Sequence, residues 1–296
     1  MKKLYVLLFS SLLLISCSNN NKKNKLDSPT DAKTLMDESM QRFANAWNQG
    51  NAAMLSEEFT IDAVRIISNP MSPIIGKNAI LKSFESTFSD ESELYKSHIE
   101  ISVVEARSVS TDIFLGTGIF KILDKNNNVL EDGKWENVFK YADGKIKFLL
   151  ESAHRNSQIQ TEAENVSIIT NSIDSEALHF EKIKTSVSNY IKYVNDQNAE
   201  DLSLLFSENG IQNVSSKEGI ILGRDNIRNS EIFLEGQSLN ANITGYKYLE
   251  NSLAIAYGKW SQTDENTGEI TTGQWGNLFK IEGENAFLIM ESAGLN

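Results

Sequence analysis

Two glutamates recur at matching places in this chain, and a carboxylate among apolar strand residues is a group that can do acid–base work. Glu151 closes the stretch Gly133-Lys-Trp-Glu-Asn-Val-Phe-Lys140 … Glu151-Ser-Ala153. Glu291 closes its repeat, Gly273-Gln-Trp-Gly-Asn-Leu-Phe-Lys280 … Glu291-Ser-Ala293. Pointed into a core, such a group is raised in pKa by desolvation and becomes an acid, a base or a ligand anchor. Pointed outwards it is a surface charge. Alternation groups Glu151 with Lys147 and Leu149, opposite Phe148 and Leu150, so both facings stay open.

Trp135, Asn137, Phe139 and Tyr141 share one strand face; Trp275, Asn277, Phe279 and Ile281 share the matching one. Such faces can line pockets, with the asparagine amide as polar handle. Core packing accounts for the aromatics as well, but a buried amide needs partners. The candidate pocket residues are Trp47, Phe59, His98, Trp135, Asn137 and Glu151 in the first half, and Phe206, Trp260, Trp275, Asn277 and Glu291 in the second.

Other chemistries find little support. The three histidines, His98, His154 and His179, fall at no metal-ligand spacing, and Cys17 is the only cysteine. No metal, disulfide or thiol chemistry is expected in the body of the chain. There is no Gly-rich phosphate loop and no Gly-x-Ser-x-Gly elbow. No cofactor is expected. A formal charge of −12 and a pI near 4.9 argue against a nucleic-acid partner.

The elements that must position these residues come as two copies. Between 133–153 and 273–293, 8 of 21 positions are identical at an offset of 140. Between 47–59 and 194–206, 6 of 13 match at an offset of 147, and Ile74, Gly76 and Ile80 match Ile221, Gly223 and Ile227 at that same offset. Three collinear blocks make a tandem repeat, the second copy shorter between its third helix and its hairpins. In the first copy Ala32, Met36, Met40, Phe43 and Trp47 recur at helical spacing, with Pro29 suited to the first turn. Asn51 caps a short second helix, and Thr60 to Ser68 reads as a strand. Gly76 opens a third helix carrying Ile80, Leu81, Phe84 and Phe88. From Ile99 the period changes to two, and Asp143-Gly144 marks a hairpin. The second copy repeats this order from a helix capped by Asp174.

The start of the chain carries a different signal. Met1-Lys-Lys3 is a basic n-region and Leu4–Ile15 an apolar h-region, shorter than the roughly 20 residues that span a bilayer. It runs into Leu14-Ile15-Ser16-Cys17, which resembles the lipobox of bacterial lipoproteins, in which the cysteine is acylated. That implies a signal peptide over 1–16, lipid attachment at Cys17 and a polar tether over 17–28. A membrane partner through Cys17 and a place in the cell envelope follow, and the absence of Asp or Glu beside Cys17 leans towards the outer membrane.

Three helices followed by an antiparallel meander give an α+β architecture, the sheet curled around the first helix. Asn51-Ala52…Leu55…Phe59…Asp62-Ala63, then Pro73…Gly76-Lys-Asn-Ala-Ile80, then Trp135…Phe139…Asp143-Gly144…Glu151 resembles the SnoaL-like and ketosteroid-isomerase-like branch of the nuclear transport factor 2 superfamily. The resemblance implies two tandem cone-shaped α+β barrels, 29–155 and 174–296, joined by a linker over 156–173, each with an apolar pocket at its wide end. An isomerase of that family needs a carboxylate base on the strand after the second helix. There this chain has Ile66, Ile67, Ser68 and Asn69, and then Ile211, Gln212, Asn213 and Val214; Asp62 falls at the preceding turn. The chain is therefore read as a non-catalytic binding module for a small apolar or amphipathic ligand or a partner protein. The alternatives are a lyase or isomerase using Glu151 or Glu291, and a structural pseudo-dimer in which the two copies pair with each other.

Overall fold

A computed structural model describes residues 29–68, 72–156 and 177–295. Residues 1–28 with Cys17 and the tether, Asn69, Asp174 and the linker from 157 onward lie outside the described residues.

The first copy begins with α1 (Pro29–Asn48) and α2 (Ala52–Glu57), then β1 (Phe59–Ile67) and β2 (Ile74–Ile75). It continues with α3 (Lys77–Thr87), β3 (His98–Ser108), β4 (Ile113–Leu123), β5 (Val129–Ala142) and β6 (Lys145–Arg155). The second copy has α4 (Ala177–Asn195), α5 (Ala199–Leu204), β7 (Phe206–Val214), β8 (Ile221–Leu222) and α6 (Arg224–Ser230). After these come β9 (Gln237–Ala241), β10 (Gly245–Leu249), β11 (Leu253–Asp264), β12 (Ile270–Glu282) and β13 (Asn285–Leu295). The sheets run β2-β1-β6-β5-β4-β3 and β10-β11-β12-β13-β7-β8, with β9 also on β11, so the strand at one edge is whole in one copy and split in the other. The architecture is α+β in two similar units. β1 joins β6, and β7 joins β13, as parallel pairs within otherwise antiparallel sheets.

Local signals explain most of the elements. Asn51 Oδ1 accepts from Met54 N at 3.0 Å, and Asn198 Oδ1 from Asp201 N at 3.0 Å, so both short helices start on the same cap. Asp143 and Gly144 take φ of 54° and 80°, the left-handed pair that a tight hairpin requires. Asp62 is not at a turn before β1 but within it. It faces outward and pairs with Lys247 of the second copy.

α1 lies in the concave face of its sheet, its Met36, Met40, Phe43 and Trp47 buried against Phe59, Phe84, Trp135, Phe139 and Phe148. Gly116 on β4 lets the helix come close, because a Cβ there would meet Met36 at 2.6 Å. α4 fills the second sheet in the same way with Phe180 and Ile183. No described helix is long and apolar enough to cross a membrane.

A third cluster joins the two convex faces: Val64, Ile66, Leu115, Val138 and Leu150 meet Ile211, Ile255, Tyr257, Leu278 and Met290. One pair of polar contacts across it follows the repeat. Lys134 Nζ donates to the carbonyl of Val214 at 2.6 Å, and its counterpart Gln274 donates through Nε2 to that of Ile67 at 3.0 Å. Since 134 + 140 = 274 and 67 + 147 = 214, these are one contact made twice, the signature of a two-fold, isologous arrangement.

Candidate functional site

Each copy holds a cavity between its first helix and its concave sheet, about 800 Å³ in the first and about 580 Å³ in the second. Trp47, Trp135, Asn137 and Glu151 line the first; Trp260, Trp275, Asn277 and Glu291 line the second. Phe59 and Phe206 do not line them. Both are buried in the cores beside the cavities, at the first residue of β1 and of β7. His98 does not line one either: it begins β3, opposite Leu123.

Why Glu151 faces inward is visible in the register. Phe139 pairs with Phe148, but Val138 pairs with Leu150, so β6 carries a bulge. One extra residue inverts the alternation beyond it, and Phe148 and Glu151 come to line the same cavity. β13 has the same irregularity opposite Leu278 and Phe279. The repeated asparagines serve these bulges. Asn137 Oδ1 accepts from Ser152 N at 2.9 Å, and Asn277 Oδ1 from Ser292 N at 3.1 Å. The amide oxygen expected to be a handle for ligand is thus engaged with the backbone N–H that follows the glutamate.

At the floor of the first cavity Glu151 is buried and has a cation beside it. Arg65, its neighbour across the parallel β1–β6 pair, donates from Nε to Oε2 at 2.6 Å. Arg65 also donates from Nη1 to Ser83 Oγ at 3.1 Å and lies over the Phe84 ring at 4.3 Å. Burial pushes the Glu151 carboxyl above its ordinary value, and Arg65 pulls back part of that rise. Arg155 donates to Glu131, and both line the same cavity.

In the second cavity the residue corresponding to Arg65 is Gln212, since 65 + 147 = 212. Its Nε2 donates to Glu291 Oε2 at 2.9 Å and to Glu231 Oε1 at 3.0 Å. Its Oε1 accepts from Lys217 Nζ at 2.6 Å, and Lys217 also reaches Glu231 at 2.6 Å. The Tyr190 hydroxyl is hydrogen-bonded to Glu291, and it stands where the first copy has Phe43 (43 + 147 = 190). Burial raises the Glu291 carboxyl to about 7, against the opposing pull of the Tyr190 and Gln212 hydrogen bonds. Burial and the neighbouring carboxylate raise Tyr190 well above its usual range. The partners Arg65, Tyr190, Gln212, Lys217 and Glu231 were not expected from sequence. The available signal was the lone arginine in Ala63-Val-Arg-Ile-Ile67.

Two buried groups sit at the interface rather than in a cavity. Glu136, fully buried, has no hydrogen-bond partner among the described residues and is raised well above its ordinary value by burial. His154 is held down to about 3, again by burial, with its Nε2 3.0 Å from Ser152 Oγ. His179 stacks on Tyr248 with ring centroids 4.5 Å apart. Among the described residues no three His, Cys, Asp or Glu side chains converge as metal ligands.

No protein-family model matches the sequence, and no curated protein matches it. Solved structures similar to it are NTF2-like and ketosteroid isomerase-like folds. They include an NTF-2-like protein from Shewanella oneidensis MR-1, 10% identical, TM-score 0.36, covering 41% of this chain and 98% of its own. A ketosteroid isomerase-like protein from Erwinia carotovora atroseptica is 14% identical, TM-score 0.35, over 42% of this chain and 95% of its own. An NTF2-like protein with a cystatin-like fold from Novosphingobium aromaticivorans is 11% identical, TM-score 0.36, over 43% and 82%.

Proposed function

We propose that this chain is a lipid-anchored envelope protein that binds small amphipathic molecules, one in each cavity, without transforming them. The observation that carries the binding role is the shape of the two sites. Each is a cavity of several hundred Å³ with tryptophan in its wall and a buried carboxylate at its floor. Apolar walls around a few convergent polar groups hold a molecule with one polar end. Anchoring rests on Met1-Lys-Lys3, the apolar run Leu4–Ile15 and Cys17; acylation there with more than one chain would give stable attachment.

Against catalysis in the first cavity, the Glu151 carboxylate is already engaged by Arg65 Nε at 2.6 Å in a buried ion pair, which favours its charged form. One feature of the second cavity favours the alternative reading, a lyase or isomerase: burial raises the Glu291 carboxyl to about 7, the range suited to a general base.

Native mass spectrometry of the protein purified gently from the cells that make it tests the main reading. A small-molecule adduct that is lost on denaturation is expected; a chain that carries none, and gains none from amphiphile mixtures, would overturn it. Cys17→Ser is expected to move the protein out of the membrane fraction. Turnover of any bound molecule that Glu291→Gln abolishes would replace the binding reading with the enzymatic one.

A further inference from the structure

We propose that the second cavity selects a protonated amine carried on an apolar body, and that the first does not. This rests on the binding role proposed above and names the ligand class of one of the two sites.

The first cavity has its own cation at the floor, Arg65, hydrogen-bonded to Glu151 at 2.6 Å. The second has a neutral amide at that place. Gln212 and Tyr190 satisfy hydrogen bonds of Glu291 but bring it no positive charge. The nearest ammonium, Lys217, is joined to Glu231 at 2.6 Å, and the two act on Glu291 with opposite sign. Across the interface the buried Glu136 is raised well above its ordinary value by burial and by Glu291, so it brings no positive charge either. The charged and titratable groups acting on Glu291 are therefore Glu231, Lys217 and Tyr190, and together they supply no net countercharge.

A carboxylate only 5% exposed and without a counterion is a costly arrangement. A ligand ammonium would complete the ion pair that the first copy has built in. The walls suit such a guest. Trp260, Trp275 and Phe279 line the same cavity, and aromatic faces attract both a cation and an alkyl body. The Trp260 ring nitrogen is buried there with no partner among the described residues, a donor left for an occupant.

Calorimetric titration of the full chain with decylamine, decanol and decanoate, each below its aggregation concentration, tests this. Decylamine is expected to bind at least tenfold more tightly than decanol, and Glu291→Gln to bring it down to the decanol level. Gln212→Arg, which installs the first copy's cation, is expected to do the same. Affinity for decylamine is expected to be about tenfold lower at pH 6 than at pH 8, because only the ionised Glu291 is competent. Should both variants fail to fold, as judged by circular dichroism, this pH dependence of the unaltered chain decides. Decanol or decanoate binding as tightly as decylamine, an amine preference that survives either variant, or a flat pH profile would overturn the inference and leave the pocket reading standing. Silence from all three probes would count against the pocket reading itself.

Discussion

The floors of the two cavities show how one backbone plan can carry two electrostatic designs. Both place a glutamate just beyond a strand bulge, both seat it beside the same position of a parallel strand, and both follow it with Ser-Ala. The first copy neutralises that glutamate with Arg65. Burial raises both carboxyls, but Arg65 pulls back part of the rise in the first copy, whereas the second has Gln212 and Tyr190 there and its glutamate reaches about 7. Two substitutions at the floor, Arg65 against Gln212 and Phe43 against Tyr190, convert a fixed ion pair into a titratable acid. The lesson is that a repeated motif preserves where a group stands without preserving its protonation.

The largest effect should come from exchanging those residues. Arg65→Gln strands a buried charge and is expected to cost about 3–5 kcal/mol in urea unfolding at pH 8. The loss should shrink towards pH 5, where Glu151 can take up a proton, and adding Phe43→Tyr should recover part of it. A loss too small to measure would break the comparison, because the arginine would then not be what distinguishes the first floor.

Glu291→Gln tests the other side. With a folded value of about 7 against 4.5, the native state keeps a proton that the unfolded chain has released. The contribution of Glu291 to stability therefore falls as pH rises from 4.5 to 7 and is fully lost above that. Relative to the unaltered chain, the variant is expected to gain about 3 kcal/mol at pH 8 and little at pH 4.5. His154 works in the opposite direction. Held near 3 against 6.5, it stays neutral in the fold, so stability falls as pH drops from 6.5 towards 3. The raw pH profile mixes both, and the difference between variant and parent isolates Glu291.

Smaller effects belong to the interface, where the copies also differ. Lys134 reaches the carbonyls of Val214, Lys217 and Gly219, while its counterpart Gln274 reaches that of Ile67. Lys134→Met should cost roughly 1–3 kcal/mol by leaving acceptors unsatisfied, and Gln274→Met less than that. Equal losses in urea unfolding would mean that the extra carbonyl contacts are idle. The exposed Lys247–Asp62 pair marks the lower end: Lys247→Ala should cost less than about 1 kcal/mol, and less still in high salt.

Several features were legible in the order of residues because their causes are local. The caps Asn51 and Asn198, the Asp143-Gly144 turn and the helical spacing from Ala32 to Trp47 each depend on a few neighbours. The aromatic and acidic lining was legible for the same reason, as Trp135 and Glu151 sit in a repeated stretch. His98, the first residue of β3, stands off the cavity, and the end residue of a strand carries no mark of which wall it joins. Phe59 and Phe206 were misplaced because a pocket wall and a core are written in the same apolar residues.

The sequence by itself determined the two copies, their order of helices and strands, and the chemistry available to each strand. Tertiary structure alone decided which way that chemistry points. The bulge that turns Glu151 inward arises from pairing between β5 and β6. Its partner Arg65 lies 86 residues away in the chain. The convex faces meet through residues such as Val138 and Leu278, which on a single strand look like any other core positions. Facing, partnership and burial are properties of chain segments brought together, and the protonation of Glu291 depends on all three.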